Sequence, residues 1–155
     1  MTTSLSYDVI HALEGKTLVT AESCTGGGIG AALTAVPGSS TVYKGGIISY
    51  TNWVKENLLY VNHEILETCG AVSQEVAKAM SVGARKALQA DVAVSVTGLA
   101  GPGGDEFGNP VGTVYIGYSD STRTESIGCF FTGSREEIRD QAVQTAMKII
   151  LDFNR

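Results

Sequence analysis

Three short stretches hold the side chains of this sequence that could do chemistry: Ala21-Glu22-Ser23-Cys24-Thr25-Gly26-Gly27-Gly28, Gly38-Ser39-Ser40, and Tyr50-Thr51-Asn52-Trp53-Val54-Lys55. They offer hydroxyls, one thiol and one lysine. His11 and His63 are the only histidines and stand far apart, so a Ser-His-Asp triad and a zinc centre both lack their key part. A serine nucleophile would then need a lysine, a tyrosine, a carboxylate or an acidic thiol as its activating partner. Lys55 suits that role if Asn52 caps a helix. It would then sit in the first turn, where the positive end of the dipole disfavours an ammonium and burial lowers its pKa further. The competing reading is a surface lysine beside Glu56. Cys24 would tend toward the thiolate at a helix N-terminus, or else serve as a small core residue.

Positioning these groups requires a strand, a tight turn and a helix. Thr17 to Ala21 reads as a short buried strand, and the glycines after it open a helix through Ile29, Leu33 and Val36. Such a turn aims free backbone N–H groups at one spot, so Thr25, Gly26 and Gly27 are expected to receive an anion. Leu5 to Leu13 has helical periodicity and ends at Gly15. Pro37-Gly38 forces a turn, Val42 to Tyr50 reads as a strand, and Gly45-Gly46 marks a bend or bulge within it. Ser73 caps a helix reaching Leu88, which feeds a strand from Val92 to Val96. Val111 to Tyr118 and Ser126 to Phe131 look like an antiparallel pair, and Ser134 to Glu137 forms a capping box ahead of a last helix through Ile149. The expected fold is α/β: one domain over residues 1–155, with a mixed, mostly parallel sheet and helices on both faces.

Composition narrows the partners. The 155 residues carry a net charge of -5, which argues against a broad nucleic-acid surface. Three widely spaced cysteines suggest neither a disulfide framework nor a metal site, and they fit a reducing cytoplasm. No apolar run is long enough to span a bilayer, so no membrane partner is expected. Gly26, Gly28 and Ala31 satisfy a G-x-G-x-x-A spacing, but no acid for a ribose lies about 20 residues on, and no Walker lysine is present. Asp105-Glu106 could hold magnesium, but its glycine-rich surroundings read as a solvated loop.

Taken with Gly70-Ala71-Val72-Ser73, Gly98-Leu99-Ala100-Gly101-Pro102 and Pro110-Val111-Gly112-Thr113-Val114, the three stretches make six ordered blocks. Together they resemble the CinA C-terminal domain, or nicotinamide mononucleotide deamidase, family over nearly the whole chain. The resemblance implies hydrolysis of the nicotinamide mononucleotide carboxamide to nicotinate mononucleotide and ammonia, without metal or cofactor. It implies Ser40 as nucleophile, Lys55 as base and Tyr50 as a third catalytic residue. Ser23, Thr97, Gly98 and Arg135 would line the substrate site, with the phosphate held by Arg135 and the Thr25-Gly26-Gly27 turn. A homo-oligomer is expected. A non-catalytic nucleotide-binding domain is the rival reading, and a Cys24 hydrolase the third. One geometric tension accompanies the assignment. A straight strand over Val42 to Tyr50 would be roughly 26 Å long at about 3.3 Å per residue and would part Ser40 from Lys55. Either Gly45-Gly46 folds the chain back or a second subunit completes the site.

Overall fold

The computed structural model describes residues 4–155. Five strands form one sheet in the order β2-β1-β3-β4-β5. They are β1 (Leu18–Glu22), β2 (Tyr43–Ile48), β3 (Val92–Gly98), β4 (Thr113–Ser119) and β5 (Thr124–Phe130). β1 pairs in parallel with β2 and β3, while β3–β4 and β4–β5 are antiparallel. The sheet is therefore mixed as expected, with its pairings evenly divided rather than mostly parallel. The short polar turn after Ser119 makes β4–β5 antiparallel, and the segment 99–112 between β3 and β4 carries no helix to serve as a parallel crossover.

Six helices cover the two faces: α1 (Ser4–Ala12), α2 (Gly28–Thr34), α3 (Asn52–Leu58), α4 (His63–Cys69), α5 (Gln74–Leu88) and α6 (Arg135–Phe153). Side-chain alternation along β1 and β3 decides which helix meets which face. Leu18, Val92, Val94 and Val96 pack with Val9, Ile29, Leu33 and Met147 of α1, α2 and α6. Val19, Ala21 and Ala93 point the other way, to Leu59, Leu66, Val76 and Met80. A strand buried on both faces reads as a continuous apolar run, which is why β1 was visible in the sequence. On the second face α5 comes so close that a Cβ at Gly117 of β4 would collide with the Ala77 carbonyl oxygen. The Ser95 hydroxyl donates to that same oxygen at 2.6 Å.

Local caps act where the sequence placed them. Ser73 accepts from the Val76 N–H, and Ser134 and Glu137 form the reciprocal capping box of α6. α4 was not anticipated; the Asn62 side chain caps it by accepting from Glu64 and Ile65. The cap of α3 differs by one residue. Thr51 takes that role, its hydroxyl accepting from Val54 N–H, so Asn52 is the first helical residue. The irregularity in β2 is a bulge between Tyr43 and Gly45, and β2 then continues in parallel register to Ile48. It does not turn the chain back. None of the described helices is long and apolar enough to cross a membrane.

Candidate active site

In open α/β sheets, ligands bind beyond the carboxyl ends of the strands. Here β1, β2 and β3 all end at the same edge, above which lies a cavity of about 590 Å³. Ser23 follows directly on β1 and is fixed there because its N–H donates to the Val96 carbonyl. Ser49 follows β2, its N–H donating to the Glu22 carbonyl. One turn into α3, Lys55 sends its side chain back under this edge. Its Nζ donates to the Ser49 carbonyl at 2.7 Å and lies 3.0 Å from Ser23 Oγ.

Lys55 is only 1% exposed and has no carboxylate partner among the described residues. Burial lowers its ammonium from the ordinary 10.5 to about 8, with the neighbouring Cys24 working weakly in the other direction. The surface-lysine reading is thereby excluded. A neutral Lys55 amine can keep one N–H on Ser49 O and present its lone pair to the Ser23 hydroxyl. That is the contact a general base needs.

Ser40 lies elsewhere. It is exposed, in a single 3-10 turn at Ser39–Thr41 that precedes β2 at the opposite end of the sheet. The six residues of β2 separate it from the cavity by roughly 20 Å at about 3.3 Å per residue. Within one chain Lys55 meets Ser23 and not Ser40. The expected fold-back at Gly45-Gly46 does not occur, so only a second copy could bring Ser40 to this cavity.

The expected anion site at Thr25, Gly26 and Gly27 is corrected too, because the chain fills it itself. The Glu22 carboxylate, 2% exposed, accepts from the Ile29 N–H at 2.8 Å, the Gly30 N–H at 3.0 Å and the Thr25 hydroxyl at 2.7 Å. Gly26 and Gly28 N–H groups donate to Ser23 O and Thr25 O. A carboxylate already neutralises this helix end, and Thr25 is buried away from the cavity. Behind the turn Arg139 donates to Cys24 O at 3.0 Å and Thr25 O at 3.2 Å, clamping the segment that carries Ser23. Cys24 lies four residues before α2 begins. Burial raises its thiol to about 11, so the thiolate expectation fails.

The remaining expected residues do surround the cavity. Tyr50, Thr97, Gly98 and Arg135 all line it. Arg135, the first residue of α6, donates to Gly101 O and reaches the Tyr50 hydroxyl at 3.3 Å. The Thr97 hydroxyl donates to Ala71 O at 2.7 Å. Asp105 spends its oxygens on Phe107 N, Asn109 N and Asn109 Nδ2, which shapes the cavity's outer loop and leaves the magnesium reading without support. Among the described residues there is no group of three or more His, Cys, Asp or Glu side chains able to hold a metal. Four contributors went unrecognised in the sequence: Glu22, the Ser49 carbonyl, Asn52 and Arg139. A charged residue ending an otherwise apolar strand was the one available signal, and it pointed to Glu22.

With this geometry in view, the similarity to known proteins is decisive. The CinA C-terminal domain pattern matches residues 2–153. The chain belongs to the CinA C-terminal domain family. A CinA-like protein of Endomicrobium trichonymphae is 47% identical over 135 residues, covering 87% of this chain and 32% of that protein. One from Parasynechococcus marenigrum is 53% identical over 134 residues, covering 85% and 31%. The chain thus spans about a third of the length of the curated relatives it matches. Among solved structures, the competence/damage inducible protein CihA from Agrobacterium tumefaciens superposes with a TM-score of 0.94 at 39% identity, covering 97% of this chain and 94% of that one. A CinA superfamily protein from Klebsiella pneumoniae gives 0.93 at 37%, covering 96% and 94%.

Proposed function

We propose that this CinA-family chain is an amidohydrolase that converts nicotinamide mononucleotide and water to nicotinate mononucleotide and ammonia, with Ser23 as nucleophile and Lys55 as base. The observation that carries this reading is the 3.0 Å contact between Ser23 Oγ and a buried Lys55 Nζ whose pKa is lowered to about 8. The choice of a nicotinamide nucleotide rests on the six sequence blocks shared with the deamidase family.

In the first half-reaction Ser23 Oγ bonds to the amide carbon while its proton passes to Lys55 Nζ. The carbonyl electron pair becomes an oxyanion. On collapse the C–N bond breaks, the Lys55 proton goes to the leaving nitrogen, and ammonia departs. Water then attacks the acyl ester, giving its proton to Lys55. Ser23 recovers a proton from Lys55 as the carboxylic acid leaves, which then ionises to nicotinate by giving its remaining proton to solvent. Arg135, an exposed cation lining the same cavity, binds the phosphate, and holding the charged end there orients the reacting end.

The test is ammonia release from the mononucleotide by the full chain, with nicotinate mononucleotide appearing in equal amount. Turnover that disappears in Ser23→Ala supports the reading. Binding without ammonia release rejects it and leaves a nucleotide-binding module.

A further inference from the structure

A serine hydrolase needs a preorganised donor where the carbonyl oxygen gains charge. The neutral side-chain donors lining the cavity are Ser23, Tyr50, Asn52 and Thr97. Ser23 is the attacking group. Thr97 gives its proton to Ala71 O, while Tyr50 accepts from Arg135, which also donates to Gly101 O, so the tyrosine keeps its own O–H. On the Ser23 turn, Ser23 N–H serves Val96 O and Gly26 N–H serves Ser23 O. Asn52, unlike Thr97, is an uncommitted amide donor on the same helix as Lys55. The cap of α3 is Thr51, so the Asn52 amide is released from capping, and it makes no side-chain hydrogen bond among the described residues. It also stands three residues before Lys55, which places both side chains on one face of α3.

We infer that Asn52 is a catalytic residue whose Nδ2–H meets the substrate carbonyl oxygen as it becomes the oxyanion. The amide is suited to this because it donates without carrying charge. A cation there would hold Lys55 deprotonated but bind the carboxylate product, and a carboxylate would repel the oxyanion. No proton is transferred to or from Asn52. The Ser23 proton still goes to Lys55 and then to ammonia.

The inference rests on the serine and lysine reading above, so its test includes a readout that needs only a nucleophilic Ser23. That probe is pyridine-3-boronic acid, whose boron becomes tetrahedral when Ser23 Oγ adds to it and places a B–O group where the oxyanion would sit. In Asn52→Ala, kcat for ammonia release should fall about 100–1,000-fold, with KM changed by no more than about threefold. Boronate affinity should fall in the same variant, while the pH midpoint of kcat and the thermal midpoint stay at the wild-type values. Asn52→Asp, the same shape without the donor, should be at least as impaired. A kcat for Asn52→Ala within about threefold of wild type overturns the assignment and hands the oxyanion to backbone N–H groups of the Ser23 turn. So does a loss confined to KM, or a shifted pH midpoint. Wild-type protein that releases no ammonia but binds the boronate through Ser23, with affinity reduced in Asn52→Ala, removes the substrate assignment and supports Asn52.

Discussion

The two ends of the sheet each carry a cavity lined with polar side chains, and they use those side chains differently. At the amino end of β1 and β3, a cavity of about 340 Å³ is bordered by Lys16, Arg85, Asp91, Asp120 and Arg123. Its carboxylates, Arg85 and Asn154 are each committed to a neighbour. Asp91 accepts from Thr17 N and Oγ1, Arg85 donates to Ser119 Oγ and Asp120 O, and Tyr118 joins Asp120 to Asn154. At the carboxyl end, Lys55 is buried without a counter-charge and touches a serine hydroxyl. These charges are satisfied by neutral hydrogen-bond partners at the rim of the sheet, with no ion pair among them. Charge that is buried and unmatched costs stability, which is the difference that the proposed role of Lys55 as a base would account for.

The sharpest way to break this comparison is to remove a serine from each end. Ser23→Ala should lower ammonia release by on the order of 10⁶-fold, the scale seen when a serine nucleophile is lost. Ser40→Ala, at the other end, should keep kcat within about twofold. Both are read from steady-state kinetics on folded protein. A silent Ser40→Ala enzyme would show that a second copy delivers Ser40 to the cavity, and would make Ser23 its orienting neighbour.

Lys55 comes next. Lys55→Arg keeps its proton at every working pH and should lose about 10²–10⁴-fold in kcat. In the wild type kcat should rise with pH through about 8 and level off above. Stability has a definite sign too. Below about 8 the folded and unfolded chains both hold the lysine proton, and the burial penalty is fully present. Between about 8 and 10.5 the unfolded chain holds more, so stability increases with pH. Against Lys55→Met, which cannot titrate, the wild type should gain about 3 kcal/mol across that window in urea unfolding. A difference that stays flat from pH 7 to 10.5 would mean Lys55 is not desolvated as the geometry requires.

A smaller effect is expected at Arg135. It is exposed and its guanidinium holds a carbonyl and a tyrosine rather than the reacting groups. Arg135→Ala should raise KM for the mononucleotide about 10–100-fold, as befits one charge-assisted contact, with a much smaller change in kcat. The same substitution should leave KM for nicotinamide riboside nearly unchanged, since that molecule lacks the phosphate. Equal effects on both substrates would move the phosphate elsewhere.

How much of this was legible differs between fold and site for physical reasons. β1, β3, α5 and α6 follow from local signals: unbroken apolar runs, a Ser73 cap, a Ser134 capping box. Lys55 was legible as a buried lysine with a lowered pKa, but burial alone lowers it: the cap is Thr51 and not Asn52, and Lys55 falls in the last turn of α3 rather than at its positive end. The partner serine was not legible. Ser23 and Ser40 are both hydroxyls next to glycines, and only the parallel register of β2 on β1, a long-range feature, puts one beside Lys55 and the other at the far end. The phosphate turn was misread for a related reason. Free N–H groups at a helix start attract an anion, but the sequence cannot say whether that anion is a ligand or the chain's own Glu22.

The smallest expected effect tests the committed end. Asp91 is exposed, and its carboxylate accepts from Thr17 N at 2.8 Å and from Thr17 Oγ1 at 3.2 Å, tying the entrance of β1 to that of β3. Thr17 Oγ1 also receives the Asp91 N–H at 3.1 Å, so the pair is reciprocal. Asp91→Ala removes both carboxylate contacts, but water can reach the freed Thr17 groups, which holds the loss to about 1 kcal/mol. Because β1 and β3 remain paired in register up to Glu22 and Val96, the displacement has no route to Ser23. Urea unfolding should therefore register a modest loss, while kcat and KM stay within about twofold of wild type. A variant with unchanged stability and impaired kcat would mean that the two ends of the sheet are coupled, and that pairing of polar groups at one end sets the geometry of the serine and lysine at the other.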